Sequence, residues 1–352
     1  MPEFPLFGAK RVLVLGSKEY PLGTSTDPIP SGGIEIYWER HAPVLRDRGV
    51  SVTILTRRFP RVPRSEDVGG IRVVRIPWIP GKLFRTPSFA LFSAVWLLLH
   101  GRNYDLIISN GPWATFFAAL AKPFHRRRIL FIPHGVAHTQ PQYPAWSRFF
   151  HKIVEKTAYL LSDAVLFFTE GEADYYRSVL NVPEKRVFLV PPVVRVDPVP
   201  DDEKQHLREE LGVSGKKVVM FVGRLVKVKG VDLLLKAFAR LNRPDAVLVI
   251  VGDGPERKDL ERLAAHLGIP DRIVFTGWRE DAAKLVAIAD VFVLPSLSEG
   301  LPQSLLEALA HGVPCIVSDI PQLRGLPVEY FDRGVAGLTE AMEKYLRLQS
   351  HK

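Results

Sequence analysis

Pro295-Ser296-Leu297-Ser298-Glu299-Gly300-Leu301-Pro302-Gln303-Ser304-Leu305-Leu306-Glu307-Ala308-Leu309-Ala310-His311-Gly312-Val313-Pro314 follows directly on a short apolar run, Val291–Leu294. An apolar run of that length bounded by turn residues reads as a buried strand. Pro302 suits the first turn of a helix, and Gly312 followed by Pro314 suits its end. The stretch therefore spells strand, loop and helix, the helix covering Gln303–His311. Working outward, the same rhythm recurs. Strands are predicted at Val12–Leu15, Val52–Leu55, Ile71–Ile76, Leu106–Ser109, Ile129–Ile132 and Ala164–Thr169, and again at Val218–Val222, Val247–Val251, Ile273–Thr276 and Cys315–Ser318. Helices are predicted at Ile34–Arg48, Ser88–His100, Trp113–Ala121, Phe149–Leu161, Val231–Leu241, Arg257–Leu267, Ala282–Ala289 and Ala336–Leu348. Strands without alternating polarity, separated by helices, mark parallel sheets covered on both faces, which is an α/β doubly wound architecture.

Pro191, Pro192, Pro198 and Pro200 break this rhythm near the middle of the 352 residues. That proline density leaves neither helix nor central strand and reads as a stiff linker. The expected layout is a first domain over 1–190, a linker over 191–200, a second domain over 201–330 and a C-terminal helical segment over 331–352, which either stays on the second domain or crosses back to the first. Each half has room for a Rossmann-like sheet. Ligands in such sheets bind at the carboxyl ends of the strands, so the expectation is two parallel sheets facing across a ligand cleft.

Composition narrows the classes. The single cysteine, Cys315, rules out an intrachain disulfide framework and points to a reducing compartment. No secretory signal is read at the N-terminus, and the longest apolar stretch, Phe89–Leu99, is about half of what crosses a bilayer, so no transmembrane span is expected. A buried helix is the preferred account of it. The net charge of +9 is unevenly spread: residues 51–150 carry fourteen basic and three acidic residues, a surplus of +11. Such a concentration calls for an anionic partner or is a solvated basic face. Cations lie beside aromatic or apolar residues in Arg57–Arg64, Trp78–Arg85 and Lys122–Arg128, a mixture suited to an anionic membrane interface. Neither a zinc-finger nor an RNP pattern accompanies them, so no nucleic acid is expected.

The candidate chemistry lies mainly after residue 200. A helix starting near 301–303 aims unpaired N–H groups at the preceding strand end, a natural anion site. Glu299 precedes that start and Glu307 lies about two turns (~5.4 Å each) further on. The two could hold hydroxyls at opposite ends of a nucleotide-sugar, or be surface carboxylates of an amphipathic helix. Gly223-Arg224-Leu225 and Lys227-Val228-Lys229-Gly230 set three cations between a strand and a helix, a seat for a diphosphate. Gly252-Asp253-Gly254-Pro255 turns sharply between strand and helix. In the first half Ser31-Gly32-Gly33 opens a helix and lets backbone approach a phosphate or sugar. No G-x-G-x-x-G dinucleotide fingerprint and no D-x-D metal-holding triplet is present.

Taken together and in this order, these motifs resemble the retaining GT-B glycosyltransferases of family 4 (glycosyl transferases group 1). Glu299 and Glu307 match the family's E-x7-E pattern, Gly223-Arg224-Leu225 with Lys229-Gly230 its cationic diphosphate motif, and Gly252–Pro255, Phe275-Thr276-Gly277 and Gly312-Val313-Pro314 fall in family order. Ser31-Gly32-Gly33 and His134-Gly135 match the N-terminal pair. The resemblance implies that Arg224 and Lys229 clamp the donor diphosphate, Glu307 holds the ribose and Glu299 the transferred sugar. Gly33, Gly252, Gly254, Gly300, Leu301 and Pro302 would line the donor, with His134 beside the reacting sugar. It implies retention of anomeric configuration, a nucleotide-sugar donor and no cofactor; with two cations on the diphosphate, no metal is expected. The surplus charge then falls on the acceptor side, which points to a lipid, lipid-linked or glycan acceptor at the cytoplasmic membrane face. The alternatives are a soluble transferase making a disaccharide, sugar phosphate or glucan, and a GT-B-shaped binding protein without turnover. The chain departs from the family at Pro191–Asp197, where Asn-Gly-Val-Asp is usual, and in the compressed stretch Ile320–Gly334.

Overall fold

The computed structural model describes residues 5–24, 33–81, 84–134, 144–180, 187–190, 194, 196–300, 302–332 and 334–348. Ser31, Gly32, Gly135, Leu301 and part of the proline-rich passage lie outside them. The chain divides into two compact units, the described residues through Val190 and those from Val194 onward.

In the first unit the chain runs β1 (Arg11–Leu15), α1 (Gly33–Asp47), β2 (Ser51–Arg57), β3 (Ser65–Val68), β4 (Ile71–Ile76), α2 (Arg85–His100), β5 (Leu106–Asn110), α3 (Pro112–Leu120), α4 (Lys122–His125), β6 (Arg128–Ile132), α5 (Ala145–Leu161), β7 (Ala164–Phe167), α6 (Glu170–Leu180) and β8 (Val187–Leu189). These strands form one eight-stranded sheet in the order β3-β4-β2-β1-β5-β6-β7-β8, parallel except for β3 against β4. Val12, Leu13, Val14, Ile107, Ile108, Phe131 and Phe167 are wholly buried, as strands covered on both faces must be. The order reverses between β1 and β5.

The second unit continues with α7 (Asp201–Glu210), β9 (Lys217–Val222), α8 (Val231–Ala239), β10 (Ala246–Val251), α9 (Arg257–His266), β11 (Ile273–Gly277), α10 (Ala282–Leu285), β12 (Val291–Leu294), α11 (Gln303–Ala310), β13 (Cys315–Ser318), β14 (Glu329–Phe331) and α12 (Val335–Leu348). Its six strands are all parallel, in the order β11-β10-β9-β12-β13-β14. Phe221, Phe238 and Phe292 anchor its core, and here the order reverses between β9 and β12. Helix α12 packs on α8, where Thr339 Oγ1 donates to the Ala237 carbonyl at 3.1 Å, so this segment belongs to the second unit. Val199 also joins that core, and Pro200 caps α7.

The sequence reading missed the short or polar elements. Strands β3, β8 and β14 are three or four residues long and lie at sheet edges, and α7 (Asp-Asp-Glu-Lys-Gln-His-Leu-Arg-Glu-Glu) buries only Leu207. The expectation that Phe89–Leu99 is simply a buried helix needs correction. Phe89, Ala90, Ala94 and Leu97 are buried, but Leu91, Val95, Leu98 and Leu99 are 43–77% exposed. Helix α2 is apolar on both sides and buries only one.

Beneath α5 and α6 lies a carboxylate network. Tyr176 donates its hydroxyl to Glu155 at 2.9 Å, and the Phe168 amide donates to Glu172 at 3.2 Å. Burial pushes the Glu172 carboxyl up to about 7, with the neighbouring Glu155 adding to the effect. A raised folded-state pKa means that the native state holds a proton which the unfolded chain gives up, so stability present at pH 4.5 is lost as pH rises through about 7. The variant Glu172→Gln should match the wild type near pH 4.5 and exceed it at pH 8 by about 3 kcal/mol. Denaturant melts at the two pH values check this; an unchanged difference between them would refute it.

Candidate active site

Both sheet reversals collect sequence-predicted residues. In doubly wound sheets the loops at a reversal leave toward opposite faces and open a crevice at the strand ends. In the second unit, Arg224 and Lys229 follow β9, while Glu299 and Gly300 follow β12. Lys229 and Glu299, which motif reasoning had assigned separately to the diphosphate and the sugar, are joined: Nζ lies 2.6 Å from Oε1, and the Glu299 side chain is 6% exposed. The two loops are also tied through backbone, the Leu297 N–H donating to the Val228 carbonyl at 2.8 Å. Gly230 adopts φ +65°, and a Cβ there would lie 2.2 Å from the Pro295 carbonyl oxygen. That close approach sets the spacing between the cationic loop and the carboxylate.

Helix α11 starts directly beyond. Pro302 caps it with extended backbone, and Ser304 Oγ donates to the Val222 carbonyl at 2.9 Å, fastening its first turn to the end of β9. Glu307, one turn on from Gln303, is buried at 7% exposure. Ser304 carried no signal in the motif reading; only the fold brings it against β9. The Ser296 and Ser298 hydroxyls in the same loop are buried without a hydrogen-bond partner among the described residues.

For Gly252 and Gly254 the structure supplies a different reason from ligand approach. A Cβ at Gly252 would lie 2.1 Å from the Gly223 carbonyl oxygen, and one at Gly254 2.3 Å from that of Leu225. The two loops hydrogen-bond, Gly223 N–H to Val251 O and Leu225 N–H to Asp253 O, each at 2.9 Å. These glycines let the 252–256 turn brace the loop that carries the exposed Arg224.

In the first unit, Gly33 opens α1 and His134 follows β6. They are linked through Tyr37, one turn into α1, whose ring lies 5.6 Å from that of His134 and stacks on His41 at 3.9 Å. His134 has φ +54°, a left-handed conformation uncommon for a side-chain-bearing residue. Burial pushes its pKa down to about 3, with His41 adding to the effect, so the ring is neutral at physiological pH. Its tautomer follows from Asn110, a residue the motif reading missed. The Asn110 amide nitrogen donates to the Leu15 carbonyl at 2.7 Å, which turns its oxygen toward His134 Nε2, also at 2.7 Å. An amide oxygen only accepts, so Nε2 carries the proton and Nδ1 is left as an acceptor. Gly16 permits this arrangement, since a Cβ there would lie 2.1 Å from the Asn110 carbonyl oxygen.

The basic stretch is less available than its sequence implied. Arg57 is buried, its guanidinium 5.3 Å from the Trp78 ring centre and 5.6 Å from that of Phe89. Arg75 is buried against Glu66, and Lys122 pairs with Asp163 at 2.6 Å. Part of the surplus therefore holds the first unit together.

Two loops from a reversal point, a cation locked to a carboxylate and a helix start beside them form an arrangement whose chemistry can take an anionic, hydroxyl-rich ligand. Comparison with known proteins defines the class. Residues 203–344 match the family model described as Glycosyl transferases group 1, and residues 31–198 that of Glycosyltransferase Family 4. A GDP-mannose-dependent alpha-(1-6)-phosphatidylinositol monomannoside mannosyltransferase of Mycolicibacterium smegmatis is 36% identical over 315 residues, covering 84% of this chain and 79% of that protein. The alpha-D-kanosaminyltransferase of Streptomyces kanamyceticus is 28% identical, covering 78% of each chain. Sucrose-phosphate synthase from Thermosynechococcus elongatus has the same fold, with a TM-score of 0.79 at 23% identity over 96% of this chain and 90% of that one. The chain belongs to the group 1, family 4 glycosyltransferases, and its fold is α/β GT-B.

Two-dimensional ¹H–¹⁵N spectra of the histidine rings test the His134 geometry. The expected result is an Nε2-protonated ring that does not titrate between pH 5 and 8, and an upward shift of its midpoint in Asn110→Asp, where a carboxylate would favour the imidazolium. A wild-type midpoint near 6.5 would contradict it.

Proposed function

We propose that the chain transfers a sugar, with retention at the anomeric carbon, from a nucleotide-sugar to a lipid or lipid-linked acceptor at the cytoplasmic membrane face. The observation that carries the donor half is the Lys229–Glu299 pair at the β9/β12 reversal, 2.6 Å apart beside the start of α11. As the glycosidic bond breaks, negative charge grows on the departing diphosphate and the sugar gains oxocarbenium character. Cations fixed beforehand stabilise that state more than the ground state. Arg224 grips two phosphate oxygens and Lys229 a third, with the N–H groups of α11 adding to the field. Glu307 takes the ribose hydroxyls. Glu299 orients Lys229 and accepts from the sugar hydroxyls, while Gly300, Leu301 and Pro302 line the sugar. With two cations on the leaving group the reaction runs without a divalent metal. His134, neutral and with Nδ1 as acceptor, receives a hydroxyl of the reacting sugar or acceptor, and Gly33 lets the α1 backbone approach the phosphates or acceptor. No carboxylate in this set takes the role of nucleophile, which favours a front-side transfer.

Two observations support the membrane half: the relative from M. smegmatis is named for a phosphatidylinositol mannoside, and the first unit carries both the surplus charge and the outward apolar side of α2. A second reading, a water-soluble acceptor, is favoured by a relative from Mycobacteroides abscessus named D-inositol 3-phosphate glycosyltransferase, 29% identical over 92% of this chain.

A thermal-shift panel of UDP-, GDP- and ADP-sugars identifies the donor, since a ligand of the folded state raises its melting point. One donor should raise it, and Lys229→Met or Arg224→Ala should lower turnover by about 10²–10³. With that donor, turnover should persist in EDTA and NMR should show the retained anomer. No shift with any donor would overturn the donor reading; loss of activity in EDTA that added metal restores would overturn metal independence.

A further inference from the structure

Helix α5 is divided into three strips. Ser147, Val154, Glu155, Ala158 and Tyr159 face inward. Trp146, Phe149, Phe150 and Ile153, at the i, i+3, i+4 and i+7 spacing of one helical face, are 46–64% exposed. Between these strips, Arg148, Lys152 and Lys156 recur every four residues, all exposed. The one acidic residue of the helix, Glu155, is buried on Tyr176, so the outward side carries positive charge alone. Helix α3 packs against both α5 and α2, and α2 adds its own outward row, Leu91, Val95, Leu98 and Leu99.

A soluble monomer seldom leaves so many large apolar side chains outside, and four adjacent aromatic or aliphatic anchors with a flanking lysine–arginine row are what an interfacial helix presents to headgroups and acyl chains. We propose that the outward face of α5, extended by α2, docks this protein on a bilayer of anionic lipids. The basic row meets the headgroups, and Trp146, Phe149, Phe150 and Ile153 enter the boundary below them. This deepens the membrane half of the proposed function and is independent of the donor. It also relocates the contact: the sequence pointed to Arg57–Arg64, Trp78–Arg85 and Lys122–Arg128, where Arg57 and Lys122 are engaged within the fold.

Flotation of the full chain with vesicles of phosphatidylcholine alone, or mixed with phosphatidylglycerol, tests this. Wild type should float at least tenfold more with the anionic vesicles. F149S/F150S and R148E/K152E/K156E should each lose at least tenfold of that recovery, while keeping the wild-type melting point and nucleotide-sugar shift. Failure of the wild type to float, or equal recovery with both vesicles, would overturn both the docking and the membrane reading. Wild-type flotation by both variants would overturn this surface and leave the membrane reading standing. A wild-type dimer in analytical ultracentrifugation that F149S/F150S dissociates would overturn the proposal in favour of a second copy as the occupant.

Discussion

A parallel sheet buries both of its faces, so its connecting helices must distribute themselves on two sides. Where the strand order reverses, neighbouring loops part and leave the strand ends open. Both candidate sets of site residues in this chain depend on that constraint. In the second unit the loops after β9 and β12 bring Lys229 to Glu299 across seventy residues of sequence. In the first, the ends of β1, β5 and β6 bring Leu15, Asn110 and His134 into one hydrogen-bonded set, which the bare Cα of Gly16 admits. The chemistry is supplied by side chains, but their spacing is set by backbone contacts that only glycine permits at Gly16, Gly230, Gly252 and Gly254.

The two sets differ electrostatically. At the β9/β12 reversal a mostly buried carboxylate is paired with a cation, Lys229 Nζ lying 2.6 Å from Glu299 Oε1. Beyond β6 the part-buried His134 is held neutral by burial, and the Asn110 amide fixes which nitrogen bears its proton.

Much of this was legible in the sequence because deeply buried strands and glycine-punctuated turns leave strong local signals. Ile71–Ile76, Val291–Leu294 and Cys315–Ser318 form strands at the limits their apolar runs suggest. What was not legible depends on long-range partners. Ser304 and Asn110 sit in unremarkable local sequence and acquire meaning from carbonyls at Val222 and Leu15. The basic surplus misled in part because charge counted along a chain does not show which arginine is stacked inside, as Arg57 is on Trp78 and Phe89. Helix α2 misled in the opposite direction: an all-apolar run looks like core from either side, and only packing decides which side is covered. The glycines of the 252–256 turn carry a local signal, but the loop-against-loop packing behind it depends on Gly223 and Leu225 far away in sequence.

The most direct measurement of the central claim is a crystal structure with the nucleoside diphosphate of the preferred donor. The account predicts the diphosphate within hydrogen-bond distance of Arg224, Lys229 and the first N–H groups of α11, with the ribose on Glu307. A diphosphate bound elsewhere, with the Lys229–Glu299 pair untouched and remote from it, would contradict it.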